Sequence, residues 1–220
     1  MTPDLIALAG AIALGVLYWA FWCWREDGSL VKLLVKTGST ALLAVFAWLA
    51  GGPWLVVAGL ALSSVGDFFL ALDGRDADKW LKPGMGAFFL AHVAYVVLFW
   101  GLPVSGESWL VIAAQAVLAL AGVTYVRWLS PSLGDMRIPV FAYTGIILLM
   151  GMLALRLDPQ FLLVTVGAMM FVASDMILAL QLFTRPAGAA PKTVPSLLVW
   201  GLYFGGQALI AWGAVHPFVQ

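Results

Sequence analysis

WLVVAGLALSSVGDFFLAL, residues 54–72, is a run of nineteen residues in which Asp67 is the only charged one. Wound as an α-helix at 1.5 Å per residue it would be roughly 29 Å long, close to the hydrocarbon thickness of a bilayer. It does not alternate as a strand would. It ends in a polar stretch, 73–84, and follows Gly51-Gly52-Pro53, both of which punctuate rather than continue a helix. Read this way, the stretch is a transmembrane helix with a carboxylate inside it.

Working outward, runs of similar length recur at 5–24, 31–50, 85–102, 108–128, 138–156, 160–183 and 194–215. With 54–72 they make eight. The chain is 63% apolar and 10% charged, with a mean hydropathy of +1.01. A soluble domain is nearer half apolar and a quarter charged, and a fold of this size could not hide so much apolar surface from water. The expected fold is therefore all-α: one polytopic transmembrane domain over 1–220, its backbone groups satisfied within helices. Met1-Thr2-Pro3-Asp4 carries no basic residue and leads straight into the first apolar run, which predicts a retained span and not a cleaved leader. The formal charge of zero and the lack of a basic stretch argue against a nucleic-acid partner. The single cysteine, Cys23, excludes an internal disulfide.

Charge placement tests the span count independently. With the N-terminus outside, Arg25, Lys32, Arg75, Lys79, Lys82, Arg127, Arg137, Arg185 and Lys192 all fall on the cytosolic side, and only Arg156 falls on the other. That positive-inside bias predicts a multi-pass protein with both termini non-cytosolic, in the inner membrane if the source is bacterial. The sequence does not address the oligomeric state.

Two segments read alike: Val65-Gly66-Asp67-Phe68-Phe69-Leu70-Ala71-Leu72 and Ala173-Ser174-Asp175-Met176-Ile177-Leu178-Ala179-Leu180, at a spacing of 108 residues. Lys36-Thr37-Gly38 against Tyr143-Thr144-Gly145, Tyr95 against Tyr203 and Tyr18 against Tyr125 follow at 107 or 108. A parallel four-plus-four repeat, with halves 1–105 and 106–220, would place the two aspartates as counterparts about a pseudo-twofold axis.

In this topology Asp67, Asp175, Lys36, His92 and Tyr143 share the cytosolic half of the membrane, and Tyr203 and Gln207 lie near the middle of the last span. His92 and Tyr95 share a helix face, as do Tyr203 and Gln207. Charges facing lipid are costly, so a shared polar pocket open to the cytosolic leaflet is expected. The plainer reading of each residue alone is packing: an Asp bonded to a neighbouring helix, a snorkelling Lys36, a hydrogen-bonded His92, tyrosines satisfying a neighbour.

With two histidines, one of them (His216) at the far end, a three-histidine zinc site is ruled out. A metal held by Asp67, Asp175 and His92 is a minor alternative, and no metal or other cofactor is expected. No Walker loop or Gly-x-Ser-x-Gly elbow is present, and Ser63, Ser64 and Ser174 have no histidine partner beyond His92. What stands out is a pair of carboxylates in an apolar setting. One protonated and one ionised would suit acid-catalysed cleavage through an oxocarbenium-like state. A proton-coupled transporter also uses intramembrane Asp and Lys with repeats, although no span is visibly broken by a mid-helix proline. A purely structural role would leave the aspartates unexplained.

Five segments carry a resemblance: Val35-Lys36-Thr37, Ser64-Val65-Gly66-Asp67, Gly86-Ala87-Phe88-Phe89-Leu90-Ala91-His92-Val93-Ala94-Tyr95, the stretch Gly167–Asp175, and Tyr203-Phe204-Gly205-Gly206-Gln207. In this order they resemble the motifs of the YhhN or lysoplasmalogenase family, from the second span to the eighth. Thr37 departs from it, standing where the family often has proline. The resemblance implies an integral membrane hydrolase that cleaves the vinyl ether bond of lysoplasmalogens to a fatty aldehyde and glycerophospho-ethanolamine or -choline. Its partners would then be a lysophospholipid substrate and the surrounding membrane lipids. It makes Asp67 and Asp175 the catalytic candidates. Lys36 would then contact phosphate, with His92, Tyr95, Tyr143, Ser174, Tyr203 and Gln207 around substrate or water. Hydrolysis of other glycerolipids is the alternative within the same chemistry.

Overall fold

The computed structural model describes residues 2–25, 28–73, 77–106, 108–184 and 192–217. It contains eight α-helices: α1 (Pro3–Phe21), α2 (Leu30–Leu49), α3 (Trp54–Asp73), α4 (Ala77–Gly101), α5 (Trp109–Leu129), α6 (Arg137–Ala154), α7 (Leu162–Phe183) and α8 (Thr193–Val215). All eight are long and apolar enough to cross a membrane. Seven match the apolar runs within about three residues. The exception is α4, which begins at Ala77 instead of 85: Trp80 to Gly84, read as loop, are helical. Pro83, six residues into α4, lacks the N–H that would bond to Lys79 O, and the helix runs through it with that one bond of the ladder missing. Arg75 and Arg185, two of the nine residues in the charge comparison, lie outside the described residues.

Local signals set the boundaries. Ser29 caps α2, its hydroxyl accepting from Lys32 N–H at 3.2 Å, and Ser108 does the same for α5 from Leu110 N–H at 3.3 Å. The α2–α3 turn is a Schellman motif. Gly51 has φ +71°, Gly51 N–H donates to Trp48 O (3.0 Å) and Gly52 N–H to Ala47 O (2.8 Å), after which Pro53 starts the next helix. At the same end of the bundle, the α4–α5 and α6–α7 connections are stitched together by Ser105 N–H to Arg156 O and Asp158 N–H to Pro103 O, both 3.0 Å.

Helix pairs α1–α2, α2–α3, α3–α4 and α7–α8 lie side by side along much of their length. Small residues make this approach feasible. A Cβ on Gly167 of α7 would sit 2.5 Å from Gly206 O of α8, and one on Gly206 would sit 2.6 Å from Gly167 O. In a bilayer, such backbone proximity replaces the hydrophobic effect as the source of helix association. By contrast α5 packs mainly on α6, with the Tyr125 hydroxyl reaching Met176 O of α7, and of its residues only Gly122 and Leu129 are buried. Trp54, Trp100, Trp109 and Trp128 are each more than 60% exposed at helix ends, where aromatic belts meet the membrane interface. The structure does not establish the four-plus-four repeat: α1 packs closely along α2, whereas their counterparts α5 and α6 touch only in part.

Candidate active site

Six helices bring polar side chains into the half of the bundle at which α3 and α7 end. They form three hydrogen-bonded groups and not one open pocket. The first is built on Asp67, which is 1% exposed. Lys36 Nζ of α2 stands 3.3 Å from its Oδ1, while Thr40 Oγ1 of α2 and Tyr203 OH of α8 donate to its Oδ2 at 2.8 and 2.7 Å. Lys36 and Thr40 are one turn apart on α2, so a single helix face supplies both the countercharge and a donor. Lys36 thus points inward to an ion pair instead of snorkelling outward.

The second group is built on Asp175 of α7. Tyr143 OH of α6 donates to Oδ2 at 3.0 Å, and His92 Nε2 of α4 lies 3.5 Å from the same oxygen. His92 is fully buried, and its Nδ1 sits 2.6 Å from Phe88 O, one turn back. A carbonyl only accepts, so Nδ1 carries a proton. In the neutral ring Nε2 then presents a lone pair toward Asp175, and it has no hydrogen-bond partner of its own. One proton shared between Asp175 and His92 would satisfy both atoms.

The third group is Tyr95, Gln207 and Ser63. Tyr95 OH donates to Gln207 Oε1 at 2.6 Å, and Gln207 Nε2 donates to Ser63 Oγ at 2.7 Å, joining α4, α8 and α3. The shared faces expected from the sequence therefore split. His92 turns to Asp175 and Tyr95 to Gln207, while Tyr203 turns to Asp67. Ser174 hydroxyl donates to Phe171 O at 2.7 Å, within its own helix.

Aromatic rings fill the space between the groups. Phe171 is fully buried, with its ring centroid 4.5 Å from that of His92 and 5.3 Å from that of Tyr203, and Phe88 stands 5.7 Å from Tyr203. The aspartates are linked through this apolar filling and not through a common water-filled space. Asp67 draws its partners from α2 and α8, and Asp175 from α6 and α4. Among the described residues no three His, Cys, Asp or Glu side chains come together as a metal set.

The groups also differ in access. Asp175 and Tyr143 line a narrow cleft between α5, α6 and α7, with Met85 of α4 at its edge, that is partly open to the surroundings. Asp67 does not line it. Two contributors went unread in the sequence. Thr40 was detectable, being four residues from Lys36 on one helical face. Tyr125, whose hydroxyl donates to Met176 O at 2.6 Å across the cleft, offered no local signal beyond its spacing from Tyr18. Across the aromatic filling from a buried, ion-paired carboxylate, a cleft-lining carboxylate with a histidine lone pair at hand is a setting for proton transfer.

Comparison with known proteins bears on which lipid. The model described as the YhhN family matches residues 31–214. The human lysoplasmalogenase TMEM86B is 31% identical over 203 residues, covering 90% of this chain and 82% of that protein. A lysoplasmalogenase of Mycobacterium bovis is 31% identical over 168 residues, 73% of this chain and 59% of its own length. The lysoplasmalogenase TMEM86A of Bos taurus is 27% identical over 216 residues, covering 90% of this chain and 84% of that protein. No solved structure matches.

Proposed function

The chain belongs to the YhhN family, and on that premise we propose that it hydrolyses the vinyl ether bond of lysoplasmalogens, releasing a fatty aldehyde and glycerophospho-ethanolamine or -choline. The observation that carries this reading is Asp175: a carboxyl group inside a span, lining an apolar cleft, with Tyr143 and His92 beside it. The relatives' activity supplies the substrate. The distribution of basic residues favours an active end facing the cytosol.

Asp175 acts as the acid. Its proton passes to the β-carbon of the alkenyl group: the double-bond electrons form the new C–H bond there, and an ether-oxygen lone pair closes onto the electron-deficient α-carbon to give an oxocarbenium ion. Water adds there and gives up one proton to the Asp175–His92 pair, restoring it. The hemiacetal then collapses: its hydroxyl proton is lost, the glycerol oxygen gains one, and the C–O bond breaks. Asp67, held by Lys36, Thr40 and Tyr203 outside the cleft, acts on the developing cation only at a distance, as a fixed charge across the aromatic filling, without touching the substrate. Tyr143 orients Asp175 through its hydrogen bond.

The test is a substrate panel on the purified protein: 1-alkenyl, 1-acyl and 1-alkyl lysophosphoethanolamine with the same chain. Aldehyde release from the alkenyl lipid alone is the expected result. Fatty acid release from the acyl lipid, with no aldehyde, would make it a hydrolase of other glycerolipids. Substrate uptake into proteoliposomes without bond cleavage would make it a transporter.

A further inference from the structure

We infer that the cleft between α5, α6 and α7 is the seat of a single hydrocarbon chain, entered sideways from the bilayer, with the headgroup end toward the basic end of the bundle. For the identity of the lipid this rests on the proposed ether hydrolysis. For the chain site it rests on the cleft itself. The walls are almost wholly apolar, formed at the deep end by Gly122, Ile147, Leu148 and Val172 and at the shallow end by Ala179 and Phe183. Of the polar side chains that line it, two are already engaged: Thr144 Oγ1 donates to Val140 O at 2.8 Å and Tyr125 OH to Met176 O. That leaves the Asp175–Tyr143 pair as the polar feature facing the space. No Lys or Arg lines it, so an anionic headgroup has no countercharge within, whereas a hydrocarbon chain has a matching surface.

Depth gives the polarity. Asp175 is eight residues before the end of α7, roughly 12 Å from it along the helix, and Val172 is about one turn deeper. An ether bond at Asp175 would put its headgroup toward the helix end and its chain toward the membrane middle. Access follows from how α5 is held. Leu148 of α6 occupies the place where a Cβ on Gly122 would lie, with its Cδ1 2.4 Å from it, and the Tyr125 bond ties α5 to α7. Elsewhere α5 is largely exposed, leaving a lateral slot that one chain can enter.

The probe is a 1-O-alkyl lysophosphoethanolamine carrying a diazirine a few carbons from the ether, with the protein in phosphatidylcholine nanodiscs. The alkyl ether resists hydrolysis, so labelling reads the chain site whether or not turnover occurs. Labelling is expected on α6 and α7 around Leu148 and Val172, competed by excess unlabelled lysolipid. Leu148→Trp is expected to reduce this labelling, and kcat/KM for a long-chain alkenyl lysolipid, by at least about tenfold, since a blocked chain misplaces the reacting bond. Leu149→Trp, on the neighbouring exposed position, is expected to leave both unchanged. Competed labelling in the slot without any aldehyde release would support the chain site and refute the proposed reaction. Labelling confined to other helices, labelling that lysolipid does not compete (a crevice for bulk lipid), or a Leu148→Trp variant equal to wild type would overturn the inference.

Discussion

Asp175→Asn is expected to lower aldehyde release from alkenyl lysolipid by on the order of a thousandfold, within the range that general acid catalysis supplies. The substitution preserves shape. With its nitrogen at the Oδ2 position, the amide can donate to His92 Nε2 and to the Tyr143 hydroxyl oxygen, so the fold and the cleft should persist. What is lost is the transferable proton. Binding of the uncleavable 1-O-alkyl lysolipid should therefore stay close to wild type while kcat falls. A variant that turns over within a few-fold of wild type would remove Asp175 from the chemistry.

The second large effect concerns Lys36 and Asp67. Removing one member of a buried ion pair leaves the other charge uncompensated, at a typical cost of about 3–5 kcal/mol, whereas replacing both with neutral groups costs far less. Lys36→Met should thus sharply lower the thermal unfolding temperature in detergent. Lys36→Met combined with Asp67→Asn should recover most of it, because Tyr203 and Thr40 can still donate to the amide oxygen. Activity should not recover in the double variant, since the fixed negative charge is gone. Recovery of both stability and turnover would reduce the pair to a structural fastener. An unaltered unfolding temperature in Lys36→Met alone would show that the pair is not closed as described.

How far the sequence could be read differs between fold and site. Eight helices were legible because each apolar run has bilayer length and is bounded by Gly, Pro or charge, a one-dimensional signal that needs no tertiary partner. The one large boundary difference, at α4, arose because a polar start with Pro83 reads as loop, although the helix continues through the proline with one backbone bond missing. Site membership was legible in part, since an ionisable residue in an apolar run stands out by its cost: Lys36, Asp67, His92 and Asp175 were marked for that reason. Partnership was not legible. Helix periodicity places His92 and Tyr95 on one face, but whether a side chain meets α6, α7 or α8 depends on how the helices rotate in the bundle. That rotation separated Asp67–Tyr203 from Asp175–Tyr143–His92 and sent Tyr95 to Gln207. The cleft was invisible for a similar reason: its walls are ordinary Gly, Leu, Ile and Val, and only the loose packing of α5 makes them a space.

The oxocarbenium route stands or falls with where the proton and the water oxygen end up. Hydrolysis of an alkenyl lysolipid in a mixture of D₂O and ¹⁸O-water, read by mass spectrometry, measures both in one experiment. Protonation of the β-carbon with water attack at the vinyl carbon leaves a deuterium on the carbon next to the aldehyde and no ¹⁸O in the glycerophospho product. A glycerophospho product carrying ¹⁸O would mean that water attacked the glycerol carbon instead, and the oxocarbenium route through Asp175 would be contradicted.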